Sequence, residues 1–325
     1  MPFRKPATSS LRRLFTQLAA PALLAAAVVS AQAAIPPSQR QYLMDFYFAT
    51  NGPNWLNNSG WGGVPGTECN WAGITCDVGE TTVTGMQFVA NAMSSSPPGT
   101  PLPDWAALPD LTSISIVSST LTGPLPPIAG LTQLTFFSVG NNQFTGPLPD
   151  PSGLQHLTRY IVAGNAFTGQ LPPLTGLPAL EWLIVSDNQI TGTIPSLAGM
   201  PALQILALQA NQLSGSIPAL PPGLQILVAQ QNQLTGPVPA APNSLLTGQS
   251  ILCPNPLTPS ASNDWNVATG VTPWHAQCNG APPGPATAVP TLGEWALALL
   301  SLAAATLGVR ALQRKRDLSA TGRPR

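Results

Sequence analysis

A motif that returns every 23 residues constrains this chain more than any other feature. Its units open at Leu108, Leu131, Leu154, Leu177 and Met200, and a sixth, beginning near Pro221, has lost two residues before Leu224 yet otherwise keeps register. A unit this short cannot bury an apolar face by itself; only stacking on its neighbours does so, and the fold is therefore a solenoid. Length alone, 325 residues, suggests about two ordinary domains, but 38 prolines and 29 glycines spread along the chain argue against them.

Within the unit the apolar positions align in columns. Leu134, Leu157, Leu180, Leu203 and Leu224 form one, Phe137, Tyr160, Leu183, Leu206 and Leu227 the next, and Val139, Val162, Val185, Leu208 and Ala229 a third. The last two columns lie two residues apart, the period of a strand with one face buried. Each unit thus supplies one short parallel strand. Asn142, Asn165, Asn188, Asn211 and Asn232 follow, with Ser119 in that place in the first regular turn. An asparagine at a bend satisfies backbone groups of its own and the adjoining turn that would otherwise be buried unpaired, so this column is structural rather than catalytic.

Each asparagine is followed by an LTG-like triplet, as in Phe144-Thr145-Gly146 and Ile190-Thr191-Gly192, and then by x-[Leu/Ile/Val]-Pro. Glycine permits a tight backbone path and proline excludes a continuing helix, so the return side of each turn is expected to be extended or irregular. Read together as LxxLxxLxLxxNxLTGxLP, six successive units over about 80–245 resemble the plant-type leucine-rich repeats of receptor kinases and polygalacturonase-inhibiting proteins. The resemblance implies an α/β repeat fold, a curved right-handed solenoid whose concave parallel sheet faces a partner. An irregular first turn is expected from Val83 to Pro103, with 94–99 inserted as a loop.

End units of a solenoid must differ from the repeats, because both ends would otherwise expose the core. Residues 39–50 read as an amphipathic helix, and Trp55, Trp61 and Trp71 follow with the first two cysteines. The run from ATNGPNW to CNWAGITC resembles the N-terminal cap of the same plant-type family, and its tryptophans are expected to pack the cap rather than to serve as a sugar platform. Four cysteines in an exported chain point to disulfides rather than to metal. Three pairings are open to them; a rod holds its ends apart, which favours Cys69 with Cys76 and Cys253 with Cys278. Their spacing does not suit zinc, and His156 and His275 are the only histidines.

The two termini carry the marks of export and sorting. Residues 1–33 have a basic start, an apolar stretch from about Leu14 to Val29 and the Ala31-Gln32-Ala33 end of a secretory signal, with cleavage expected after Ala33. Near the other end, Val289-Pro290-Thr291-Leu292-Gly293-Glu294-Trp295 precedes an apolar run and the basic cluster Arg310, Arg314, Lys315 and Arg316. It resembles the IPTL-type sorting signal of Gram-negative bacteria, written IPTLSEWG, with Val289, Gly293 and Ala296 as departures. The resemblance implies processing by a membrane-embedded exosortase-like transpeptidase at Val289, Pro290, Thr291, Leu292, Glu294 and Trp295, and delivery to the cell surface. A transmembrane helix from Trp295 to about Leu312 keeps its basic flank cytoplasmic, which places the body outside. The chain thus divides into a signal peptide (1–33), N-terminal cap (34–80), leucine-rich repeats (81–250), C-terminal disulfide cap (251–280), linker (281–288) and sorting tail (289–325).

The formal net charge of zero hides this division. Each terminal segment, 1–33 and 289–325, carries +4, whereas 34–288 holds only Arg40 and Arg159 against ten acids, a net charge of −8. Such a body repels phosphate backbones, and nucleic acid is excluded as a partner. Side chains between the buried strand positions line the concave face in three columns. The first is Ser113, Phe136, Arg159, Trp182, Ile205 and Ile226, the second Ser115, Ser138, Ile161, Ile184, Ala207 and Val228, and the third Val117, Gly140, Ala163, Ser186, Gln209 and Gln230. Apolar area with aromatic and arginine anchors points to a protein or glycan interface, with Phe136, Arg159, Trp182, Ile161, Ile184 and Ile205 as the candidate binding residues. No catalytic residues, cofactor or metal are assigned. Glu181 and Asp187 are the one carboxylate pair that a polysaccharide-acting enzyme would use, and the hydroxyl column Thr122, Thr145, Thr168, Thr191, Ser214 and Thr235 is what an ice- or surface-adhesion protein would use.

Overall fold

The computed structural model describes residues 34–259 and 264–278; the expected signal peptide, linker and sorting tail with its transmembrane helix lie outside them. No helix among the described residues is long and apolar enough to cross a membrane. The strand-period columns build one eight-stranded sheet from β1 (Ile74–Cys76), β2 (Val83–Val89), β3 (Ser113–Val117), β5 (Phe136–Ser138), β7 (Arg159–Ile161), β9 (Trp182–Ile184), β11 (Ile205–Ala207) and β13 (Ile226–Val228), in that spatial order. β1 pairs antiparallel with β2, and every later pair is parallel. Register follows the repeat: Phe136, Arg159, Trp182, Ile205 and Ile226 stand side by side on successive strands.

The inward columns make the core. Leu134, Leu157, Leu180, Leu203 and Leu224 are fully buried, as are Phe137, Tyr160 and Val139. Phe137 stacks on Tyr160 and, across the core, Phe144 stacks on Phe167. Tyr160 keeps its hydroxyl satisfied by donating to the Pro149 carbonyl (2.8 Å), because an unpaired buried hydroxyl would cost stability.

On the return side the chain stays extended. Two three-stranded sheets form there, β4 (Thr122–Pro124), β6 (Gln143–Pro147) and β8 (Ala166–Thr168), then β10 (Thr191–Thr193), β12 (Gln212–Gly215) and β14 (Gln233–Leu234); β15 (Gly236–Pro237) pairs with β16 (Leu257–Thr258). The α/β label is therefore carried by the caps and not by the repeats. Between 81 and 250 the only helical segment is the 3-10 turn Trp105–Ala107, since the prolines after each glycine remove the donors a helix needs. Gly123 shows why the triplet ends in glycine: it sits at φ +89°, and a Cβ there would lie 2.8 Å from the Gly99 carbonyl oxygen.

The asparagine column is a continuous ladder. Asn188 accepts from the Phe167 amide (3.1 Å) and donates to the carbonyls of Val162 (3.1 Å) in the preceding turn and of Val185 (3.1 Å) and Ser186 (3.0 Å) in its own. Asn142, Asn165, Asn211 and Asn232 repeat the arrangement. Ser119 is too short to do so, and its buried hydroxyl has no partner. A Ser119→Asn variant is expected to gain about 1–2 kcal/mol by bonding the Ile116 and Val117 carbonyls, read as a higher midpoint in urea unfolding.

At the N-terminal end, α1 (Pro37–Ala49) starts with proline in its first turn, where no amide is needed. Its buried face (Tyr42, Leu43, Phe46) packs an aromatic cluster with Trp55, Trp61, Trp71 and Phe88. The Gln39 side chain donates to Thr82 and accepts from the Val83 amide, tying the helix to the start of β2. Arg40 pairs with Glu68 and lies over Trp71, and Cys69 is bonded to Cys76. At the other end, residues 246–258 form a further turn. Its backbone pairs with β13 (Ile251 N to Leu227 O, 2.9 Å), and Asn255 extends the ladder by accepting from Leu234 N and donating to Ala229 O. Then α2 (Asp264–Thr269) lays the buried Trp265 over the open end, and Cys253 is bonded to Cys278.

Candidate binding face

The face of the main sheet turned away from the core is a second apolar surface. Ala163, Ile184 and Ala207 form a buried cluster separate from the core, with Ile161, Trp182, Ile205 and Val228 packed around it. All three outward columns contribute, because alternate residues of each strand point to the same side. Ile184, expected as an exposed contact, is almost covered by its neighbours, whereas Ile161, Trp182, Ile205 and Phe136 remain half-exposed.

Strand register brings Arg159 between Phe136 and Trp182. Its guanidinium lies 3.9 Å from the centre of the Trp182 ring, a cation–π contact, and its Nε is buried without a hydrogen-bond partner. Arg40 is held by Glu68. Arg159 is consequently the one arginine or lysine among the described residues outside an ion pair, in a body that carries ten acids. Sequence columns placed Arg159 and Trp182 on one face; the stack depends on how two long side chains lean across adjoining strands, which periodicity does not encode.

At the far end of the same strands the character changes to polar. Ser186, Gln209 and Gln230 continue the column begun by Ala163, their register held by backbone bonds Gly164 N to Ser186 O and Ala210 N to Gln230 O. Gln209 Oε1 and Gln230 Oε1 are buried and unpartnered, and the Ser186 hydroxyl lies beside the Asp187 carboxyl. Burial raises the Asp187 carboxyl above its ordinary value, and the Ser186 hydroxyl beside it opposes the shift. Because the folded value lies above the unfolded one, the carboxyl favours folding below its unfolded value, and that contribution is lost as pH rises through the folded value. At neutral pH the fold carries the full penalty of the ionised group. Asp187→Asn, which also tolerates the left-handed backbone at this position (φ 55°), is expected to raise the melting temperature at pH 7 and to flatten its dependence between pH 3 and 7.

The two alternative constellations are not assembled. Glu181 precedes β9 and Asp187 follows it, roughly 20 Å apart along an extended strand, against the 5–9.5 Å or so that paired glycosidase carboxylates need. The threonine column does not stack either: Thr122 faces Gln143, Thr145 faces Ala166 and Thr191 faces Gln212, so successive hydroxyls are displaced by two residues. Thr191 and Ser214 moreover spend their hydroxyls on the carbonyls of Gly169 and Gly192.

Comparison with known families matches residues 179–199 to Leucine Rich Repeat and residues 287–314 to the IPTL-CTERM motif. No curated protein matches. Among solved structures, the PEPR1–AtPEP1 complex is similar at TM-score 0.53 and 24% identity, covering 72% of this chain and 37% of that one. A plant ice-binding protein is similar at TM-score 0.51 and 20% identity, covering 78% of this chain and 99% of that one. A TDR receptor shares 31% identity at TM-score 0.45 over 50% of this chain. The chain spans 30% of that receptor's length and 28% of the plant peptide hormone receptor RGFR1. The repeat pattern and the stacked parallel coils agree with the Leucine Rich Repeat match at 179–199, and the tail carries a match to the IPTL-CTERM motif.

Proposed function

We propose that this chain is an exported binding protein, held at or released from the surface of a Gram-negative bacterium, that recognises a protein or glycan through the outward face of its main sheet. One observation carries the reading: an apolar cluster lies outside the core on that face, beside Arg159, the one arginine or lysine among the described residues outside an ion pair. Apolar side chains left outside a core, with a desolvated arginine stacked on tryptophan among them, have the composition of an interface centre rather than of a solubilised surface. Export and sorting are supported by the IPTL-CTERM match, whose sorting enzyme would be of the exosortase class, and by the signal-like residues 1–33.

The test is a surface-protein and glycan array probed with the full chain and with the Phe136→Ala, Arg159→Ala, Trp182→Ala triple variant. Binding by the parent chain that falls at least tenfold in the variant, with the melting temperature little changed, is the expected result, in line with the cost of removing interface anchors. Undiminished binding by a folded triple variant would place the interface elsewhere.

A further inference from the structure

Charge disappears from the later turns of the stack. Nine of the ten acids in 34–288 lie between Asp45 and Asp187, and residues 188–263 contain no Asp, Glu, Lys, Arg or His. In soluble proteins about one residue in four is charged, so an uncharged run of this length is a marked departure. It can be followed column by column. The exposed arm position held by Asp104 and Asp150 in earlier turns is Ser196, Ala219 and Ala240 in later ones. The position held by Asp110 becomes Ala179, Ala202 and Gly223.

On the return side these turns present two rows of neutral polar side chains. Thr191 stands beside Gln170 and Gln212 on the adjoining strands, and Ser214 beside Thr193 and Gln233, in parallel register. Ile190, Leu213 and Leu234 alternate with them and point into the core. The Thr191 and Ser214 hydroxyls donate to the Gly169 and Gly192 carbonyls and keep their oxygens as acceptors. Gln170, Gln212 and Gln233 are exposed, and each amide offers both donors and an acceptor. A surface built from such groups is complementary to itself, whereas a surface of one charge repels its own copy.

We propose that this face docks a second copy of the chain about a two-fold axis near β12, the middle strand of the uncharged turns, with the two acidic ends set apart. A two-fold interface lays one patch against the same patch. Any acid near the axis would meet its own equivalent there, and these turns carry none; the earlier, acidic turns are kept from pairing by the same rule. A charged partner finds no counter-charge on this face. Five turns at about 4.8 Å and six residues at about 3.3 Å make a patch of roughly 25 Å by 20 Å, or about 500 Å² on each copy, at the low end for a specific interface. The pairing is therefore weak, driven by concentration, and insensitive to salt because no ion pair takes part. It uses the opposite side of each turn from the binding face proposed above and does not rest on that reading.

The test is sedimentation velocity of the full chain in mild detergent, over a concentration series at low and high salt, beside two double variants: Gln212→Glu with Ser214→Glu, and Gln212→Lys with Ser214→Lys. The parent should pass from monomer to dimer with the same midpoint at both salt concentrations. Each variant alone should dimerise at least tenfold more weakly at low salt, since like charges now face each other, with a melting temperature close to the parent's. An equal mixture of the two variants should regain the dimer. Misfolding or association through the tail cannot produce that recovery, because both would persist in the mixture unchanged. A parent that stays monomeric up to its solubility limit overturns the proposal, as does a dimer that survives in both variants or a mixture that regains nothing. A monomeric parent that binds a soluble neutral β-glucan, with binding lost in both variants, gives the face to a glycan instead.

Discussion

Asn188→Ala is expected to lower unfolding stability by about 4 kcal/mol. Two N–H donors shared among three carbonyls disappear, each worth about 1 kcal/mol net, and the buried Phe167 amide loses its acceptor at a further 1–3 kcal/mol or so. Because Asn188 bonds both its own turn and the one before, the loss strikes the joint between two turns rather than a single strand. Asn188→Asp should be no better, since the carboxylate keeps the acceptor but lacks all the donors. Urea unfolding followed by circular dichroism measures the shift. A change below about 1 kcal/mol would mean that water replaces the side chain at the bend and that the ladder is incidental.

Trp265→Ala is expected to cost about 3–5 kcal/mol as well, but locally. Trp265 is fully buried over the last turn, and its indole donates to the Pro239 carbonyl (2.8 Å). Turns of a solenoid touch only their neighbours, so removing an end cover frays that end first. Hydrogen exchange should therefore quicken at Leu246, Ile251 and the rest of 246–258, whereas amides in β5, β7 and β9 keep their protection. Uniform acceleration along the chain would show that the stack melts as one unit and that the end cover sets its stability.

How much of this could be read in the chain beforehand depended on whether a residue's role repeats. The strand columns, the structural asparagines, the cap helix and the outward face are periodic, so their places follow from spacing. Asn255 escaped because Pro254 and Pro256 surround it and the spacing of apolar residues before it drifts, although Asn255-Pro256-Leu257-Thr258 keeps the local pattern. The two-residue skew of the return strands escaped because repeat-equivalent residues are paired on the main sheet but not there, and sequence gives no sign that the two sides differ. Within the candidate face, membership of the columns was legible; the Arg159–Trp182 stack and the unpaired oxygens were not, since hydrogen-bond satisfaction is a property of the assembled neighbourhood.

The ladder also decides where the gene can gain or lose codons. Between each outward strand and its asparagine the count is invariant, because one residue more would carry the side chain away from three carbonyls and an amide at once. The arm that returns from one turn to the next has no such constraint, and it is there that the sixth unit has shed two residues and the first has acquired its extra loop. Insertions and deletions are thereby steered away from the outward columns, so the length can drift while the spatial order of Arg159, Trp182, Ser186, Gln209 and Gln230 is kept.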